Sequence, residues 1–126
     1  MCKMCDDPSL TMADVRADMF RTIEKYGWLV QYVEAEPGYA SFAYTVGLTG
    51  KDAPELYVTG LDPQAAATLL NDAGRTILQG DLGPCDLYTA PDGRQYLLGQ
   101  MVDVRDLLGA IEAYGPNFEA LSLTPM

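Results

Sequence analysis

The first candidate site in this chain is a pair of cysteines near its N-terminus. Cys2 and Cys5 have the Cys-x-x-Cys spacing that lets two thiolates in a tight turn bind one zinc ion. Four ligands complete such a site, yet Cys85 is the one remaining cysteine and the chain contains no histidine. A zinc-dependent docking element would therefore need a nearby carboxylate as a ligand. The alternative is a polar leader, residues 1–10, with two exposed thiols and no cofactor.

A second candidate site lies where two predicted strands meet. Tyr44, Thr45 and Glu55 bring two hydroxyls and a carboxylate to segments whose side chains alternate with period two. The Thr45 side chain is expected on the face opposite Tyr44, where Gly47 leaves room for a ligand or another backbone. These residues predict a binding groove over that face. In the alternative, Thr45 only fills a sheet position, Gly47 forms a bulge and Glu55 caps backbone amides of the loop.

The third candidate is an asparagine inside a predicted helix. Asn71 is a poor helix former that directly follows Leu69 and Leu70, two residues of the predicted buried stripe. We therefore expect its side chain to face inward and to bond the loop before Pro54 as part of the partner site. The alternative is a purely structural hydrogen bond.

Several kinds of catalytic site are excluded by residue type. A chain without histidine has no Ser/His/Asp or Cys/His relay. The spacing Gly80-x-x-Gly83 lacks the lysine that follows the glycines of a phosphate-binding loop. We assign no catalytic residue, and the sequence favours a protein that is not an enzyme.

Length and composition indicate one globular domain over residues 1–126. Hydrophobic residues make up 48% and charged residues 21% of the chain, which is close to the globular average. The sequence contains no apolar run approaching the ~20 residues that span a bilayer. Its N-terminus also lacks the apolar region of a secretory signal. These features predict a cytoplasmic protein.

The charge balance restricts the classes of partner. Eight Lys and Arg against eighteen Asp and Glu give a net charge of −10. This charge repels nucleic-acid phosphates and anionic lipid, so we expect neither direct nucleic-acid binding nor membrane binding. It suits a protein partner with a basic face. The alternative is an acidic surface that only maintains solubility.

The predicted elements follow the order αβββαββαβ. The first helix begins at the Thr11/Asp14 capping pattern and ends at Gly27, and the second begins at Asp62-Pro63 and ends at Gly80. The third is expected to begin at Asp103, with a stripe of Val104, Leu107, Leu108 and Ile111, and to end at Gly115-Pro116. Strands are expected at 28–34, 39–48, 55–61, 85–89, 94–102 and 118–123.

Short connections between these strands favour antiparallel pairing. The sequence therefore predicts an α+β fold: a mostly antiparallel sheet of about five to six strands with three helices packed on it.

Six motifs in order carry a family resemblance. The chain resembles the bacterial and phage family catalogued as domain of unknown function 4262 over residues 2 to about 102, through Cys2-x-x-Cys5, Tyr26-Gly27-Trp28, Tyr44-Thr45-Val46-Gly47-Leu48, Pro54-Glu55-Leu56, Gly60-Leu61 and Leu69-Leu70-Asn71. The resemblance implies a shared fold and supplies no reaction, cofactor or substrate.

Two departures from that family pattern are visible. Family members often have histidine where Tyr26 and Ala53 stand here, so any chemistry that relatives perform with those histidines is not available to this chain. Many members also continue into an aromatic and proline-rich C-terminal tail. We interpret this chain as a shortened member, encoded by a phage or mobile element.

The favoured function is a non-enzymatic module that binds a host or cellular protein. The missing histidines and nucleophile motifs favour it, as do eight tyrosines, a residue type enriched at interfaces. The first alternative is a small-ligand or cofactor-binding enzyme that uses the Tyr44, Thr45 and Glu55 face. Further alternatives are the zinc-dependent docking element and a homo-oligomer that pairs through an edge strand.

Overall fold

A six-stranded sheet forms the centre of the protein in the computed structural model, which describes residues 12–80, 82–101, 103–115 and 117–126. The spatial order of the strands is β1-β2-β3-β6-β5-β4. Neighbouring strands are antiparallel except β3 and β6, which are parallel. The strands are β1 Leu29–Val33, β2 Phe42–Val46, β3 Glu55–Thr59, β4 Leu87–Thr89, β5 Gln95–Gln100 and β6 Ala120–Pro125.

The described residues also form three α-helices, α1 Met12–Tyr26, α2 Pro63–Leu78 and α3 Leu108–Tyr114. The element order is αβββαββαβ, which confirms the predicted α+β class. The sheet edges are β1 and β4, and self-association through either edge stays a prediction. None of the helices in the described ranges is long and apolar enough to cross a membrane.

Helices cover both faces of the sheet. Because side chains alternate along a strand, consecutive residues of β2 enter different cores. Ala43 joins a core on one face in which Leu56 and Leu98 pack against Leu70 of α2. Tyr44 joins a core on the other face with Leu107 and Ala110, and Met19 and Ile23 of α1 pack against it. The sheet is thus enclosed between α2 on one side and α1 with α3 on the other.

Local signals fix the ends of the first two helices. Gly27 has a φ of +95°, and its amide donates to the Ile23 carbonyl at 2.7 Å, as expected for a glycine that ends a helix. The Asp62 carboxylate accepts from the Ala65 amide at 2.8 Å, and Pro63 occupies the first turn. The predicted buried stripe of α2 is confirmed at Leu69 and Leu70, and Ala66, Ala73 and Ile77 of the same helix are buried with them.

The third helix begins later than the capping pattern predicted. Asp103 accepts from the amide of Arg105 at 3.0 Å and pairs with its guanidinium, so the chain turns there instead of starting a helix. The helix starts at Leu108, and this side chain is 69% exposed while Leu107 is buried. The predicted stripe was therefore wrong at Leu108. Tyr26, the last residue of α1, is likewise 68% exposed.

Gly74 in α2 lies against the indole of Trp28, as expected for a helical glycine that permits close packing. A Cβ at this position would lie 3.1 Å from Trp28 Cζ2. Alanine gains about 1 kcal/mol of helix propensity over glycine. Overpacking costs about 1–3 kcal/mol when the neighbour cannot move, and the indole is held by a 2.9 Å bond from its Nε1 to Asn71 Oδ1. Gly74→Ala should therefore lower the free energy of unfolding by about 1 kcal/mol.

Urea denaturation of Gly74→Ala alone and in an Asn71→Ala background measures this balance. Removing the Asn71 amide frees the indole to shift, so alanine at position 74 should cost less in that background. A Gly74→Ala protein more stable than the parent in the presence of Asn71 contradicts the expectation.

Candidate functional site

A buried carboxylate lies at the centre of the candidate site. Glu55 is fully buried at the start of β3. Its Oε1 accepts from Thr45 Oγ1 at 2.7 Å and from the Leu48 amide at 3.2 Å. Its Oε2 accepts from the Gly47 amide at 3.3 Å and from the amide and hydroxyl of Thr49 at 2.8 and 2.6 Å. The carboxylate thus binds the loop of residues 47–54 onto the sheet.

The loop sequence explains why its amides converge on this side chain. Gly47 adopts a φ of +132° directly after β2, which turns the next two amides toward Glu55. Successive amides in a turn form a concave site for an anion. Here the chain's own carboxylate fills that site. The predicted capping of loop amides by Glu55 is confirmed.

Thr45 connects the same carboxylate to the neighbouring strand. Its hydroxyl donates to Glu55 and accepts from the Leu56 amide at 2.9 Å. Both Thr45 and Glu55 are 0% exposed. An open groove over this face was therefore the wrong expectation, because the loop and the helical layers close it.

Tyr44 faces the other core, as the alternation predicted. Its hydroxyl accepts from the Gly109 amide at 2.8 Å, which satisfies a backbone donor in the first turn of α3. Burial raises the pKa of the Tyr44 phenol, and the Gly109 amide opposes this effect in part. Tyr44 thus positions α3 over the sheet end that carries Glu55.

Asn71 lies apart from these residues. Its Oδ1 accepts from Trp28 Nε1, so it does not bond the loop before Pro54 as expected. The structural alternative is confirmed. Among the sequence candidates, the structure brings together Tyr44, Thr45, Gly47 and Glu55, and it places Asn71 on the α2 side against the indole.

A surface depression of about 530 Å³ adjoins the loop where β3 and β6 begin. Met101, Val104 and Phe118 form its apolar part, and two acidic residues, Asp52 and Glu119, also line it. Sequence reasoning missed this depression because three separate segments of the chain form it. Asp52 carried the one local signal, an acidic residue in a short loop, and it has a φ of +58°.

The Tyr114 side chain of α3 lies against the loop at Gly50. A Cβ built on Gly50 would lie 3.3 Å from the Tyr114 hydroxyl. Burial raises the pKa of this phenol, the charge of Glu55 raises it further, and a bond with the Gly50 backbone opposes both. Glu55 therefore holds the loop through hydrogen bonds, and Tyr114 of α3 contacts the loop at Gly50.

The predicted zinc ligands Cys2 and Cys5 lie outside the described residues. Cys85 is exposed. Within the ranges that the structure describes, no group of three or more Cys, Asp or Glu side chains is arranged to hold a metal ion.

A protein-family model matches most of the chain. The family model described as "Domain of unknown function (DUF4262)" matches residues 22–124. The match includes the loop, Glu55, strands β1 to β5 and residues 120–124 of β6, whereas the cysteine pair lies outside it. No curated protein and no solved structure matches the chain.

Proposed function

From the premise that the chain belongs to the DUF4262 family of domains of unknown function, we propose that it is a non-enzymatic module that binds a basic segment of a partner protein. The binding surface is the depression beside loop 47–54. The observation that carries the proposal is its lining, in which two carboxylates accompany an apolar floor.

An arginine or lysine side chain suits this lining. Both have an apolar stem with a cationic head, so the stem can pack on apolar surface while the head meets a carboxylate. Met101, Val104 and Phe118 offer the apolar surface, and Asp52 and Glu119 offer the carboxylates. Arginine adds a planar fork of donors that matches a carboxylate.

The rigidity of the loop favours binding. Ordering a loop on association reduces affinity, so a loop already held in place binds more tightly than a mobile one. Four bonds to Glu55 hold residues 47–49 before any partner arrives. Glu55 therefore supports the binding surface from behind and need not contact the partner.

The charge of the whole chain supports the same class of partner. A net charge of −10 accelerates encounter with a basic surface and repels acidic ones. In the described ranges, a neighbouring carboxylate pairs with the positive charge of several arginines: Asp18 with Arg21, Asp72 with Arg75, Asp92 with Arg94 and Asp103 with Arg105.

The enzyme alternative built on Tyr44, Thr45 and Glu55 has less support. Both oxygens of Glu55 accept bonds from its own chain, and the Thr45 hydroxyl both donates and accepts. A ligand would have to displace these bonds before it could bind there.

Two pentapeptides test the proposal. One contains an arginine, and the other has citrulline at the same position and is otherwise identical. Citrulline keeps the shape of arginine and removes its charge. In a titration of ¹⁵N-labelled protein, the arginine peptide should shift the amides of Thr49, Asp52, Ala53 and Glu119. It should bind about tenfold more tightly than the citrulline peptide, as expected for loss of a charge-assisted pair.

Matched variants complete this test. Asp52→Asn and Glu119→Gln should each weaken binding of the arginine peptide by about three- to tenfold, and Asn tolerates the left-handed backbone at position 52. Glu36→Gln makes the same charge change in the β1–β2 turn at the opposite end of β2, and it should leave binding unchanged. Equal binding of both peptides, or equal weakening by Glu36→Gln, contradicts the proposal.

A further inference from the structure

A second cavity lies at the opposite end of the sheet. It has a volume of about 380 Å³ and lies between the start of α2 and the turn that joins β4 to β5. Leu61, Ala65 and Leu69 line it on the helix side, and Ala90 and Tyr96 line it on the hairpin side. Its volume is near the lower end of the roughly 300–1,000 Å³ typical of small-molecule sites.

Tyr96 brings an unpaired hydroxyl to this cavity. The side chain is only 4% exposed, yet the described part of the chain provides no hydrogen-bond partner for its hydroxyl. The neighbouring Tyr88 differs, because its hydroxyl donates to Asp72. Every fully enclosed side-chain oxygen or nitrogen of the described residues has a partner, so the Tyr96 hydroxyl must reach the open space of the cavity. A ligand in the cavity can therefore reach and pair with this hydroxyl.

Arg94 lines the same cavity two positions before Tyr96, on the same side of the extended chain. Its Nε lies 3.6 Å from Asp92, and both side chains are exposed. Exposed pairs of this kind contribute little free energy. A guanidinium has five N–H donors, so Arg94 retains donors for an anionic group in the cavity.

The two carboxylates at the cavity are already engaged. Asp62 accepts from the Ala65 amide at 2.8 Å, and Asp92 accepts from the Arg94 amide at 3.0 Å. The side-chain donors at the cavity are the Tyr96 hydroxyl and the Arg94 guanidinium, together with the neutral donors of Gln64 and Thr68, above a floor of Leu61 and Leu69.

We propose that this cavity binds a small carboxylic acid with an apolar body. The carboxylate accepts from the Tyr96 hydroxyl and the Arg94 guanidinium, and the body packs on Leu61 and Leu69. The site is independent of the peptide surface proposed above, because the two lie at opposite ends of β3.

Hexanoate and benzoate, each paired with the neutral alcohol of similar shape, test this site. In titrations of ¹⁵N-labelled protein, at least one carboxylate should shift amides within residues 61–69 and 90–96. It should bind about tenfold more tightly than 1-hexanol or benzyl alcohol, respectively, because its bonds to the protein are charge-assisted.

Three variants assign the contacts. Arg94→Gln should remove the preference for the carboxylate over the alcohol, and Tyr96→Phe should weaken carboxylate binding by about three- to tenfold. Arg75→Gln makes the same charge change outside the cavity and should leave binding unchanged. The proposal is overturned if neither carboxylate binds more tightly than its alcohol, if the shifts map elsewhere, or if Arg75→Gln acts like Arg94→Gln.

Discussion

Replacing Glu55 with alanine should lower the free energy of unfolding by about 4 kcal/mol. The change leaves two hydroxyls and three amides of Thr45, Gly47, Leu48 and Thr49 without their acceptor. A hydrogen bond to a charged group contributes about 1.5–3 kcal/mol net, and water that enters the space restores part of the loss. Since a domain of this size is stable by about 5–15 kcal/mol, the variant should be close to unfolding.

Two milder changes separate the charge of Glu55 from its shape. Glu55→Gln keeps the volume but turns an amide NH2 group, itself a donor, toward at least two donors, and it should cost about 2–3 kcal/mol. Thr45→Val removes one hydroxyl that serves Glu55 and the Leu56 amide, and it should cost about 2 kcal/mol. Urea denaturation followed by circular dichroism measures all three variants.

An exposed carboxylate provides the control for this series. Glu36→Gln removes the same charge from a surface turn and should change stability by less than about 0.5 kcal/mol. If Glu55→Gln were as stable as Glu36→Gln, the loop would not depend on the buried carboxylate. If Glu55→Gln retains its fold, it should also weaken binding of the arginine peptide, because the loop that carries Asp52 loosens.

Replacing Gly47 with alanine should cost about 4 kcal/mol or prevent folding, for two additive reasons. The first is the backbone, since a φ of +132° is unfavourable for any residue with a Cβ. The second is space. The new Cβ would lie 2.7 Å from Trp28 Cα and 2.9 Å from the Gly27 carbonyl oxygen. These are backbone atoms, so relief requires the chain at Gly27 and Trp28, just before strand β1, to move, and such overpacking costs about 1–3 kcal/mol or more.

Gly38→Ala separates the two reasons. Gly38 also has a positive φ, +85°, but no atom lies within 4 Å of a Cβ built there. Alanine at this position should cost about 1–2 kcal/mol, the backbone penalty alone. Trp28 is the only tryptophan of the chain and lies against Gly47, so its fluorescence reports unfolding beside the mutated position. Equal stability of the two variants means that the packing of Gly47 against Trp28 contributes nothing.

Local signals were sufficient for much of the fold. The cap at Asp62 and the stripe of α2 predicted that helix, because capping and side-chain spacing depend on residues within about one turn. The same local reasoning failed at Asp103. The Asp103 carboxylate could cap the amides of a helix that begins there, or it could pair with Arg105. The structure shows the pairing with Arg105, and the sequence alone does not decide between the two.

The candidate site was predicted only in part. Period-two alternation placed Tyr44 and Thr45 on opposite faces, and the structure agrees. Capping of the loop by Glu55 was one of two interpretations that the pattern allowed. Choosing between an open groove and a closed core required knowledge of which helix covers which face, and alternation carries no such information.

By itself, the sequence determined the element order, the helix ends that are set by caps and glycines, the family and the negative charge. Each of these follows from composition, from motifs or from neighbours within a few positions. Only the tertiary structure decided that β3 pairs in parallel with β6, setting Glu55 beside Ala120. That pairing joins the loop to residues 117–119, builds the acidic depression and helps bury Glu55, because burial depends on segments far apart in the chain.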